Sequence, residues 1–107
     1  MIDLSTIEQS NYEIKLESGE ILQIKKPSQA FLNDILALYE YIQKMDDTAA
    51  DSLILINKVY EIITRIFNRN INGKIFTREE LEEMIDIKVA MAVLEDYFAF
   101  VEKELGK

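Results

Sequence analysis

A mainly α-helical fold is predicted: a short N-terminal β-hairpin followed by a small bundle of three long helices and one short helix. Three observations predict it. Residues 12–25, YEIKLESGEILQIK, hold two strand-like segments around a turn that contains Gly19. From residue 29 onward, apolar residues recur at three- and four-residue spacing. The 107 residues include one proline and three glycines, which suits one domain with little linker. The chain is read as a single domain over 1–107, with a hairpin region at 1–26 and a helical bundle at 28–106.

Residues before Asn11 show no clear period. Tyr12, Ile14 and Leu16 then alternate with polar neighbours and share one face of a strand. Glu17-Ser18-Gly19-Glu20 is the turn, with Gly19 able to take a positive φ. Residues 21–25 form the return strand. A hairpin alone is marginal in water, so this one must pack on the helices or pair with another chain.

Pro27 stops the strand and Ser28 caps the first helix, which runs from about Gln29 to Met45. No capping box is expected there, because Phe31 stands three residues after Ser28. Phe31, Leu32, Ile35, Leu36, Leu38, Tyr39 and Ile42 share a broad face, with Asn33, Glu40 and Lys44 opposite. Asp46, Asp47 and Thr48 break the helix, and Asp47 or Thr48 caps the next, from about Ala49 to Asn68. Ile56, Val59, Tyr60, Ile62, Ile63, Ile66 and Phe67 make one half of it apolar, while Ile54 falls on the polar side. So wide an apolar face suits a central helix packed on two neighbours.

Residues 68–75 read as a loop around Asn72-Gly73. Thr77-Arg78-Glu79-Glu80 is a capping box, and Phe76 can staple to Leu81. A short acidic helix follows, to about Ile85. Asp86 caps the last helix, and Gly106 suits its end.

That last helix, at 88–105, carries more apolar surface than one packing seam needs. One stripe holds Val89, Val93, Tyr97 and Phe100, expected to be core against the second helix. The flanking stripe holds Met91, Leu94, Phe98 and Leu105. These four are the candidate residues for binding an apolar client, because a Met-and-aromatic patch suits amphipathic helices.

The formal net charge is −8, which argues against nonspecific binding to nucleic acid or to an anionic membrane. The charge is uneven. Lys58, Arg65, Arg69, Lys74 and Arg78 face only Glu61 in the middle of the chain, whereas residues 79–104 are strongly acidic. Solvated faces of opposite sign account for this, or head-to-tail self-association of basic middle on acidic end. No apolar run approaches the ~20 residues of a membrane span. The start, MIDLSTIEQSNYE, has no basic region followed by an apolar one, so no secretory leader is expected and a cytoplasmic location is.

Cysteine and histidine are absent, which removes disulfides, thiol chemistry and the commonest general base. No nucleophile–base pair, phosphate loop or dinucleotide fingerprint is present. Asp46, Asp47 and Asp51 lack the spacing of a calcium loop. The Glu79–Glu83 cluster reads as carboxylates favoured at a helix start. No catalytic residue, metal or cofactor is expected.

The N-terminal pattern xIxLxSGExLxIKxP places Ile14, Leu16, Gly19, Glu20, Lys25 and Pro27. Later segments add Phe67, Phe76, Thr77, Glu80, Leu81, Ile85 and Asp86, then Tyr97, Phe98 and Phe100. This order resembles the small tail assembly chaperones of long-tailed bacteriophages and prophages, especially those of Gram-positive hosts, over most of the chain. The resemblance implies a non-enzymatic, self-associating protein of the host cytoplasm, absent from the mature virion. Its client would be the long, helical, apolar tape-measure protein, kept soluble until tail-tube subunits polymerise around it. Many such chaperones are also made as a longer frameshift product that recruits the tail-tube protein, and this chain would correspond to the short form. The alternative from the residues alone is an acidic regulatory or inhibitor protein of phage origin that mimics nucleic acid. It would use Glu79–Glu83 and Glu95–Glu104 against a basic partner.

Overall fold

Two strands and four helices follow one another along the chain in a computed structural model that describes residues 11–45 and 49–105. The side chains of 49–51, 104 and 105 lie outside that description. So do the expected cap at Asp47 or Thr48, the cluster of Asp46, Asp47 and Asp51, and the expected end at Gly106. The elements are β1 (Tyr12–Lys15), β2 (Ile21–Ile24), α1 (Gln29–Lys44), α2 (Ala49–Phe67), α3 (Arg78–Met84) and α4 (Ile87–Leu105).

β1 and β2 pair antiparallel, Tyr12 opposite Ile24 and Ile14 opposite Leu22. The turn works as the sequence predicts: Gly19 sits at φ 93° and its N–H donates to Leu16 O at 2.9 Å. Alternation then sorts the side chains. Leu22 and Ile24 are fully buried, Tyr12, Ile14 and Leu16 half-buried, and Glu13 and Lys15 exposed.

The helix starts are set locally. Ser28 Oγ accepts from Phe31 N at 3.1 Å. Thr77 Oγ1 accepts from Glu80 N at 3.1 Å while Glu80 Oε1 accepts from Thr77 N at 3.2 Å, a complete capping box. Asp86 Oδ1 accepts from Val89 N at 2.9 Å. Each satisfies an N–H that the helix itself leaves without a partner.

α2 is central, packing on α1, α3 and α4. Its buried residues are Val59, Tyr60, Ile62, Ile63, Ile66 and Phe67. They meet Phe31, Ile35 and Leu38 of α1, Leu22 and Ile24 of β2, Phe76 and Leu81, and Ala90, Leu94, Tyr97 and Val101 of α4 in one core cluster. Two expected core positions differ. Ile56 is 36% exposed and Leu36 45%, because among the described side chains of α2 full burial begins at Val59, and the buried line of α1 runs through Phe31, Ile35 and Leu38.

The loop at 68–75 is held by asparagines. Asn68 bonds both the N–H and the C=O of Phe76, at 2.7 and 2.9 Å. Asn70 Nδ2 donates to Phe67 O and Lys74 O, and its Oδ1 accepts from Asn72 N and Lys74 N. Asn72 reaches across to β2, accepting from Gln23 N at 3.0 Å and donating to Ile21 O at 3.2 Å. With Ile71 N on Gln23 O and Lys25 N on Arg69 O, the loop occupies the outer edge of β2 as a third strand would.

Candidate functional site

α4 decides which apolar surface is left over. Its core line is Ala90, Leu94, Tyr97 and Val101, all buried, at the i, i+4, i+7, i+11 spacing of one helix face. Leu94, expected on the outer stripe, has no exposure and contributes no contact surface to a client. Met91 and Phe98 are half-buried against the core, and the Phe98 ring lies 4.9 Å from that of Tyr39 on α1. The Leu105 side chain lies outside the described residues. Conversely Val89, expected as core, is 45% exposed, and Val93 and Phe100 are only partly covered. The two stripes therefore exchange roles over the first half of the helix.

Val89 and Val93 line a groove of about 450 Å³ between β1, the hairpin turn and the α3–α4 corner. Ile14, Leu16, Phe67, Met84 and Ile85 supply the rest of its apolar wall, and Lys15, Glu17, Ser18 and Glu83 its polar rim. Met84 is 43% exposed. The position of β1 against α4 is fixed by Tyr12, whose hydroxyl donates to Asp96 Oδ2 at 2.6 Å and whose ring packs edge-on to Tyr97 at 5.3 Å. Burial, with the Asp96 carboxylate second, pushes the Tyr12 phenol above its ordinary value. Tyr97 donates to Lys25 O at 2.7 Å, and burial pushes it up to about 12 against the opposing effect of the Arg69 guanidinium. Both phenols stay neutral across the physiological range and serve as hydrogen-bond donors that hold the sheet on α4.

A second apolar surface lies on the first half of α2, where Leu53 is 64% exposed and Ile54 44%. A smaller, polar crevice of about 250 Å³ separates α1 from α2, lined by Asp34, Lys58, Glu61 and Arg65.

The electrostatics differ from a bare reading of the charge runs. Arg65 pairs with Asp34 at 2.8 Å, Lys74 with Glu20 at 2.6 Å and Arg78 with Glu82 at 2.7 Å. Arg69 donates twice to Lys26 O, at 3.1 and 2.5 Å, and Lys58 lies over the Tyr41 ring. Every cation between residues 58 and 78 thus has a partner inside the subunit. Arg65, Lys74 and Arg78 remain partly exposed in these pairs. The acidic side chains Glu79, Glu83, Glu95 and Glu102 are exposed.

Among the described residues no group of three or more acidic side chains is placed to hold a metal ion. No helix among them is long and apolar enough to cross a membrane. Comparison with models of known protein families, with curated protein sequences and with solved structures returns no match.

Proposed function

We propose that this protein is a non-enzymatic assembly chaperone for a long, apolar, helical client. The tape-measure protein of a phage tail is the client implied by the resemblance of the hairpin, capping-box and aromatic segments. The observation that carries the reading is the groove of Ile14, Leu16, Met84, Val89 and Val93, an open apolar surface with Glu17 and Glu83 at its rim. The exposed Leu53 and Ile54 on α2 offer a second apolar contact. A net charge of −8 keeps such a protein soluble while it displays these surfaces.

Co-expression with a long apolar helical client tests the reading. The wild-type chain should hold the client in the soluble fraction, and the Met84→Ser/Val89→Ser double variant should lose most of that effect while folding normally. A client that precipitates with the wild type would refute the chaperone role. Full solubilisation by the double variant would remove the groove from it.

One observation favours the acidic-mimic reading. Glu79, Glu83, Glu95 and Glu102 present exposed carboxylates along α3 and α4, while Arg65, Lys74 and Arg78 are each paired with a carboxylate inside the subunit. Binding of a basic partner through these side chains would weaken steeply with salt.

A further inference from the structure

Among the described residues, the hairpin has one occupied edge and one open one. Leu16 N donates to Glu20 O, which sets the phase of the ladder. Directly opposed pairs in an antiparallel ladder alternate between hydrogen-bonded and non-hydrogen-bonded. With the register Tyr12–Ile24 and Ile14–Leu22, residues 12, 14 and 16 point their main-chain groups at β2. Glu13 and Lys15 therefore point theirs away from it. The same alternation on β2 is visible directly, since Ile21, Gln23 and Lys25 turn outward and are met by residues 69–72. No such partner meets the outward main-chain groups of Glu13 and Lys15 among the described residues. The groove adjoins this edge: it is lined by 14–18 of β1 and the turn, and by none of β2.

The geometry points to a second copy of this chain as the occupant, paired β1 to β1 across a two-fold axis at Ile14. In that register Glu13 stands opposite the partner's Lys15, and Lys15 opposite the partner's Glu13. Both are the residues whose main-chain groups point outward, so each opposed pair exchanges two N–H···O bonds, four in all. Their exposed side chains form two cross-strand carboxylate–ammonium pairs on the solvent face. On the other face Ile14 meets its own copy, and Tyr12 lies across from the partner's Leu16, so the half-buried rows of the two hairpins join beside the groove, which stays open toward Met84 and Val89. Charges usually guard a short edge strand against pairing. Here Glu-Ile-Lys is complementary to itself when antiparallel, so the same charges select one register. The product is a four-stranded sheet, β2–β1–β1–β2, with the buried Leu22 and Ile24 of each outer strand on the helical core.

Sedimentation velocity against concentration, combined with charge variants at these two exposed positions, tests this. The wild type should dimerise reversibly. Glu13→Lys alone and Lys15→Glu alone each place like charges opposite one another, and each should raise the dimer dissociation constant by about tenfold or more. Mixing the two variants should restore association as a heterodimer, because each carries the charge the other lacks. The chain has no cysteine, so Ile14→Cys should form an intermolecular disulfide under mild oxidation, as the close approach of a non-hydrogen-bonded pair allows. A wild type that stays monomeric at millimolar concentration would overturn the proposal. So would a dimer indifferent to both charge variants, or a mixture that associates no better than either variant alone.

Discussion

Replacing Leu94 and Val89 by alanine, one at a time, separates core from surface on α4. Leu94 has no exposure and Val89 is 45% exposed. Truncating a fully buried leucine removes its transfer free energy and leaves a cavity in the cluster shared with α2, a loss of about 3 kcal/mol within a usual range of roughly 2–5. Val89→Ala removes two methyl groups worth about 1.6 kcal/mol if fully buried, at about 0.8 each. Just over half of that side chain is covered, which leaves about 0.9 kcal/mol. The better helix propensity of alanine returns roughly 0.5. The net cost at Val89 is therefore a few tenths of a kcal/mol. Urea unfolding followed by circular dichroism at 222 nm reads both values, and the Leu94 variant should also lose roughly 15 °C in Tm, at about 4–8 °C per kcal/mol for a domain near this size. Equal costs at the two positions, or a larger one at Val89, would refute the inward placement of Leu94 and the outward placement of Val89, and with it the groove that Val89 lines.

Four other outcomes follow from the same geometry. Below pH 10 the raised pKa of Tyr97 contributes its full stabilisation, which is lost as pH rises from 10.0 toward about 12. Urea midpoints measured through that window should fall steeply for the wild type and less steeply for Tyr97→Phe. Thr77→Ala removes the cap of α3 and should cost about 1 kcal/mol by the same unfolding assay, whereas Thr77→Ser should cost little. Asn70→Ala deprives Phe67 O, Lys74 O, Asn72 N and Lys74 N of a partner. It should cost about 2 kcal/mol and speed amide exchange at Gln23, whose N–H depends on the position of Asn72. Gly19→Ala meets no atom within 4 Å but must hold φ 93°, so it should destabilise by roughly 1–2 kcal/mol, with Gly19→Asn milder.

What the sequence revealed depended on how far apart the interacting residues stand. The capping box at Thr77–Glu80, the cap at Ser28, the cap at Asp86 and the turn at Gly19 are all settled within a few residues, and each forms as the pattern predicts. The hairpin and the extents of the four helices follow from period alone. Which stripe of α4 faces inward does not. Periodicity places Val89, Leu94 and Tyr97 around a broad arc, but the side that is buried depends on elements remote in sequence: α2, which packs on α4, and Tyr12, which meets Asp96 from 84 residues away. The role of Asn68, Asn70 and Asn72 is hidden for the same reason. Alternating asparagines read as a loop, yet Asn72 serves β2 across 49 residues of sequence. Their every-second-residue spacing is the signal that could have suggested an edge-pairing segment. The groove combines these non-local facts, and five of its residues, Ile14, Leu16, Phe67, Val89 and Val93, read from the sequence as strand or core positions.

The binding claim is tested most directly by fluorescence anisotropy of a labelled apolar amphipathic helix titrated with the protein at low and at high salt. Capture through Met84, Val89 and Val93 predicts saturable binding that holds or tightens as salt rises, and that weakens at least tenfold in Met84→Ser/Val89→Ser, a loss of about 1.4 kcal/mol. Absence of binding, or binding that collapses with salt and ignores the double variant, would contradict it.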